Sequence, residues 1–166
     1  DLLERATWAP EGTRTIETVA QPASKLAVEA GIAITDDRRF IIVEQEDIGR
    51  EHRFSGEKLT SVLSVYRYAG FEEALDKVRR IYQVAGAGHS CGIYSFDDDH
   101  IDRLARVAPV SRIMVRQPQS KANAGSFTNG MPMTSSLGCG IWGGNVTNEN
   151  ISLKHFMNVT WVSRPI

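Results

Sequence analysis

Cys139 is the first residue to weigh, because it lies in a run, TSSLGCGIWGGN (134–145), that holds four glycines among twelve residues. Glycine at that density loses much conformational entropy on folding and is tolerated where backbone bends into positive φ or packs closely. Backbone N–H groups in such a run can be aimed at an oxyanion, which would suit a nucleophilic thiol. No sequence-local base marks Cys139, however, and a cysteine between glycines equally serves as a small packing residue. Cys91, beside Gly92 in an apolar stretch, reads as core. His89, in GAGHS, stands at a helix–strand junction, where hydrogen bonding to structure and proton transfer are both open to it. His155 falls on a last helical turn, where a cation favours the dipole. Arg112, Arg116 and Lys121 are more suggestive. Arg116, Gln117, Gln119, Ser120, Lys121 and Asn123 follow a buried strand, and open α/β sheets place ligands at carboxyl ends. They could hold an anionic group by charge-assisted hydrogen bonds, or form a solvated basic loop. No HExxH, no phosphate-cradling GxxxxGK and no carboxylate pair appears, and GAGHSCG lacks the strand–GxGxxG–helix order of a dinucleotide fingerprint. Two cysteines, without metal spacing, make reduced thiols in a cytoplasmic protein the expectation.

The elements that must position these groups alternate. Residues 1–7 read as the end of a helix, 15–20 as a short β-branched strand, and 21–30 as a helix closed by Gly31. Residues 39–43 and 58–68 have strand character. Residues 71–84 carry an amphipathic stripe of Phe71, Ala74, Leu75, Val78, Ile81 and Tyr82. A strand over 90–96, a helix over 101–108 started by 97–100, and a strand over 110–115 follow. Residues 116–150 are long and irregular, which inside a domain marks a functional or interface loop. A helical turn at 151–155 and a final strand within 156–162 close the chain. The alternation predicts an α/β fold with a largely parallel sheet.

Composition excludes several classes. At 166 residues, 42% hydrophobic and 23% charged, the chain fits a globular domain with a sizeable core. A net charge of −1, with no like-charge run beyond 97–99, argues against electrostatic binding to nucleic acid or anionic membrane. No apolar run approaches the ~20 residues of a membrane span.

Four ordered stretches carry a family resemblance. GEKLTSVLSVYRYAGFEEALDKV (56–78) resembles a segment of the aldehyde dehydrogenase superfamily, and GAGHSCGIYS, RIMVRQPQS and SLGCGIWGGNVTNENISLKHFMN resemble its CoA-acylating branch. That branch includes sulfoacetaldehyde dehydrogenases and the aldehyde half of bifunctional alcohol–aldehyde dehydrogenases. The resemblance covers essentially the whole chain, and departs at Thr60–Ser61, where many relatives have a proline before the valine.

The resemblance implies an aldehyde dehydrogenase-like catalytic domain, partial over 1–156, with an oligomerisation strand over 157–166 and a homo-oligomeric assembly. It also implies that the nucleophilic cysteine and the nucleotide-binding portion lie upstream, so that no catalytic residue is expected here and this chain alone is expected to be inactive. In an intact relative, aldehyde adds to that cysteine, hydride passes to NAD or NADP, and coenzyme A takes the acyl group. Glu57 would contact the nicotinamide ribose and Leu59 would pack near the nicotinamide. Arg116, Gln119, Ser120, Lys121 and Ser136 would face the substrate, an anionic aldehyde such as sulfoacetaldehyde. Two alternatives stay open: a non-acylating semialdehyde dehydrogenase, and an inactive structural or interaction module.

Overall fold

The computed structural model describes residues 2–166, which divide into two compact units, one reaching Gly86 and one beginning at Ala87.

In the first unit, α1 (Leu2–Thr7) lies against α2 (Ala23–Ala30). The apolar spacing of α2 puts Leu26, Ala27 and Ala30 on one buried face, with Leu26 0% exposed. Gly31 ends the helix at φ 65°, left-handed backbone that glycine adopts without a Cβ penalty. Leu3, Trp8, Leu26, Ala30, Phe54 and Val62 form the core. The Trp8 and Phe54 rings meet edge to face at 5.0 Å. Leu26→Ala is expected to cost about 2–5 kcal/mol by urea denaturation, because no solvent-facing collapse route relieves the cavity.

Strands β1 (Ile41–Gln45) and β2 (Val62–Tyr66) pair in parallel, with Ile41 opposite Val62 and Gln45 opposite Tyr66. Their alternation turns Ile41 and Val43 toward the core and leaves Ile42 58% and Leu63 51% exposed. Helix α3 (Phe71–Val84) has the bounds its apolar stripe predicts.

The strand expected over 15–20 is instead a 3-10 turn at Ile16–Thr18. The Thr18 hydroxyl donates to the Thr15 carbonyl at 2.8 Å, a local bond that competes with a ladder. β-Branching there signals a side chain that caps its own backbone, not an extended one.

In the second unit, β3 (Cys91–Ile93) and β4 (Ile113–Val115) are parallel neighbours joined through α4 (Asp98–Val107). Asp97 caps α4, its carboxylate accepting the Asp99 N–H at 3.0 Å. Leu104, Ala108, Val110 and Met114 are buried. Cys91, expected in the core, is half-buried near the strand start. The long stretch beyond β4 contains one helical turn, α5 (Gln119–Ala122), and a 3-10 turn at Ile141–Gly143.

The turn expected at 151–155 is present at Leu153–Phe156. His155 does not serve its C-terminal dipole, because its Nδ1 reaches back to accept the Ser152 N–H at 3.0 Å. That capping box satisfies an N-terminal donor instead. Residues 157–166 form no strand in this single chain, and Val159, Trp161 and Val162 are exposed. A strand needs a ladder partner, and among the described residues none pairs with this segment.

Candidate functional site

In the first unit, the segment carrying Glu57 and Leu59 follows a 3-10 turn at Arg53–Ser55. Lys58 Nζ donates to the Phe54 and Gly56 carbonyls, each at 2.8 Å, and ties the segment to that turn. Burial, then the Arg14 charge, hold the Lys58 ammonium below the usual lysine value, while Glu57 opposes both. Leu59 has φ 48°, a left-handed conformation a branched side chain adopts at a cost. Its side chain is 55% exposed.

The Glu57 side chain is exposed, and among the described residues its carboxylate has no hydrogen-bond or ion-pair partner. The segment thus presents an exposed carboxylate, coupled only through space to Arg14 and Lys58, two positions from an exposed apolar side chain.

In the second unit the structure separates the three basic residues that the sequence groups together. Arg112 is 6% exposed and faces inward. Its Nε donates to Asn150 Oδ1 at 2.6 Å, Nη1 to the His89 carbonyl at 3.2 Å, and Nη2 to the Gly138 and Asn148 carbonyls at 2.8 and 3.3 Å. Desolvation lowers its pKa, with nearby Cys139 acting the other way. A cation committed to four internal acceptors is not offered to a ligand, so Arg112 leaves the candidate anion group.

Arg112 instead centres a polar hub. Asn150 Nδ2 donates to the Asn123 and Pro132 carbonyls at 3.2 and 2.8 Å. Asn123 Nδ2 reaches Ser90 Oγ at 3.2 Å, and Gln119 Nε2 donates to the Ser90 carbonyl and hydroxyl, both at 2.9 Å. His89 Nδ1 meets the same hydroxyl at 2.7 Å. The hub joins the start of β3, the start of β4, α5 and the glycine-rich stretch.

Ser90 and Asn150 carry no assignment from the sequence, while Asn123, grouped there with the anion-binding candidates, is 7% exposed and spends its amide on Ser90, so it leaves that group with Arg112. The signal available for Arg112 is alternation: Val110, Arg112 and Met114 share one buried face of the strand.

The other basic residues point outward. Arg116 sits at φ 52°, which turns the chain out of the strand. Its guanidinium lies 4.8 Å over the Phe96 ring, with Nη1 donating to the Ser95 carbonyl at 2.5 Å. Ser120 and Lys121 are exposed on α5 beside Gln119, whose amide N–H groups are spent on Ser90. Ser136 is exposed, and its backbone is fixed by Thr134 and Ile151, not by α5. The structure thus brings Gln119, Ser120 and Lys121 onto one turn, with Arg116 leading into it.

Cys139 is half-buried; its N–H is accepted by Asn145 Oδ1 at 2.9 Å, and its thiol points to the Leu137 carbonyl at 3.9 Å. No base is among these contacts.

Comparison with solved structures defines the class. An acetylating aldehyde dehydrogenase from Geobacillus thermoglucosidasius superposes with a TM-score of 0.89 at 28% identity, covering 99% of this chain and 37% of that one. The architecture is that of an aldehyde dehydrogenase.

Among curated proteins, a sulfoacetaldehyde dehydrogenase of Acholeplasma is 44% identical over 98% of this chain and 34% of its own length. A sulfoacetaldehyde dehydrogenase (acylating) of Bilophila wadsworthia is 38% identical over 100% and 37% respectively. No family model matches the chain.

The chain belongs to the acylating aldehyde dehydrogenase family. It spans about a third of the length of the curated relatives it matches.

Proposed function

We propose that this chain is part of a longer enzyme that oxidises a small anionic aldehyde to its acyl-CoA with NAD or NADP. The observation that carries the reading is the exposed carboxylate of Glu57, which makes no hydrogen bond among the described residues, beside the exposed, left-handed Leu59. The relatives named for sulfoacetaldehyde support both the acylating chemistry and the anionic substrate.

The nicotinamide cofactor, when bound, accepts the hydride. In this reading Glu57 accepts hydrogen bonds from its ribose and Leu59 packs against the ring. Lys121, with no partner for its ammonium among the described residues, and Arg116 face the anionic end of the aldehyde. Gln119, Ser120 and Ser136 complete that side. The nucleophilic cysteine and the nucleotide-binding portion belong to the remainder of the enzyme, so the chain by itself turns nothing over. Residues 157–166, with Val159, Trp161 and Val162 exposed, form a strand on a neighbouring subunit in a homo-oligomer.

The test is product formation by the full-length enzyme with sulfoacetaldehyde and with a neutral aldehyde of similar size, with and without coenzyme A. Product that needs coenzyme A is expected. Lys121→Met together with Arg116→Met is expected to lower kcat/KM for the anionic aldehyde by ~10-fold or more and leave the neutral one within ~2-fold, the loss of one or two charged contacts. Unchanged selectivity would remove the anion-binding assignment. Turnover independent of coenzyme A would favour a non-acylating semialdehyde dehydrogenase.

A further inference from the structure

We propose that residues 14–21 are a positioning clamp that holds the backbone of Glu57 and Leu59 in a strained, cofactor-ready conformation. The proposal rests on the assignment of those two side chains to the nicotinamide nucleotide.

Four hydrogen bonds span the two segments. Arg14 Nη1 donates to the Glu57 carbonyl at 3.1 Å. The Ala20 N–H donates to the Leu59 carbonyl at 2.8 Å. The Thr60 hydroxyl donates to the Thr18 carbonyl at 2.7 Å, and the Ser61 hydroxyl to the Gln21 carbonyl at 2.8 Å. No ladder register relates these bonds, so they fix a shape and not a sheet.

The clamp is rooted in the core. Arg14 lies 5.4 Å over the Trp8 ring, which packs on Phe54. Thr18 is 1% exposed.

Backbone strain points to the purpose. Among the described residues, three non-glycine residues have positive φ: Ala20 at 55°, Leu59 at 48° and Arg116 at 52°. The first two are the donor and acceptor of one hydrogen bond. Two side-chain-bearing residues in left-handed conformation, bonded to each other, persist only where surrounding contacts over-determine them, and such strain collects at functional sites. Within residues 57–61, the side chains left exposed are Glu57 and Leu59. The Ser61 hydroxyl bond to the Gln21 carbonyl restrains the chain just beyond Leu59.

A purely structural segment and a positioning clamp differ in one respect. Glycine at position 20 relieves left-handed strain, so Ala20→Gly leaves the melting temperature unchanged or raises it, yet loosens the presentation of Glu57 and Leu59. Arg14→Met and Ser61→Ala each remove one tether.

In the full-length enzyme, each of the three variants is expected to raise KM for the nicotinamide cofactor by ~5-fold or more, the worth of about one hydrogen bond. KM for coenzyme A and kcat at saturating cofactor stay within ~2-fold. In the 166-residue chain without cofactor, amide exchange at Ala20 is expected to quicken in Arg14→Met and Ser61→Ala.

Glu57→Gln is the control that separates the two levels. If it leaves the cofactor KM unchanged, the nicotinamide assignment fails and the clamp loses its purpose. If it raises that KM while the three clamp variants leave it and the Ala20 exchange rate unaltered, the clamp alone is overturned. A fall in melting temperature with Ala20→Gly, tracking its loss of cofactor affinity, also overturns it, since destabilisation would then account for both.

Discussion

Arg112→Met is expected to destabilise the second unit by about 3–5 kcal/mol, the largest loss from any single side chain here. The guanidinium is 6% exposed and serves four acceptors, the Asn150 amide and the carbonyls of His89, Gly138 and Asn148. Methionine fills much of the volume and supplies no donor, so the cost is that of stranded acceptors, at about 1–3 kcal/mol for each one left buried and unpaired. Partial access of water to Asn148, which is exposed, keeps the total below the sum. Arg112→Lys is expected to recover less than half of the loss, because one ammonium cannot reproduce a planar fork that spreads over acceptors from three chain segments. Urea unfolding, followed by a probe within residues 87–166, measures both variants. Equal stability of Arg112→Met and the parent chain would mean that the hub does not hold the second unit together.

Gly88→Ala is expected to cost about 3 kcal/mol or more, and Gly144→Ala about 1 kcal/mol, although both glycines have positive φ, 88° and 70°. The difference is in what surrounds them. A Cβ on Gly88 would overlap the Cys139 carbonyl and Cβ and the Gly143 nitrogen, whereas one on Gly144 meets open space. Backbone strain alone acts at Gly144, and strain plus a rigid backbone clash acts at Gly88. The neighbours at Gly88 are main-chain atoms of the glycine-rich run, so they cannot swing aside as a side-chain tip would. The run must shift as a body, and the Arg112–Gly138 bond beside it with it. Thermal melts of the two variants, run side by side, separate the contributions. Similar shifts would mean that the run yields easily and that its glycines serve conformation only.

The two glycine positions also show what a chain of letters can and cannot convey. The density of glycine over 134–145 announces close approach, and close approach is what Gly88, Gly138 and Gly143 provide. The identity of the approaching atoms, Thr147 and Glu149 at Gly138 and the 87–88 backbone, some fifty residues distant, at Cys139 and Gly143, lies in tertiary structure.

Helix α3 is legible to the residue because six apolar side chains repeat at helical spacing without interruption. The segment at 15–20 is misread because Thr and Val favour strands on average, while Thr18 spends its hydroxyl on its own turn. Arg112 is misassigned for a similar reason. Three basic residues close in sequence suggest one anion site, but strand alternation buries the first, and a left-handed residue at 116 releases the second. Glu57 and Leu59 rest on family resemblance; nothing in their local pattern announces the left-handed backbone that sets them apart.

The outward face of the first unit's parallel pair carries Ile42, Leu63 and Val65. Parallel sheets are ordinarily covered on both sides. Glu44 is the one charge the described ladder sets on that face, and it is paired with Arg67, just past the end of β2. They act as gatekeepers against sheet-to-sheet stacking. In solutions of this chain alone, stacking through this face is therefore opposed by two ionised groups, and added salt, which screens them, favours it even while the fold beneath stays intact.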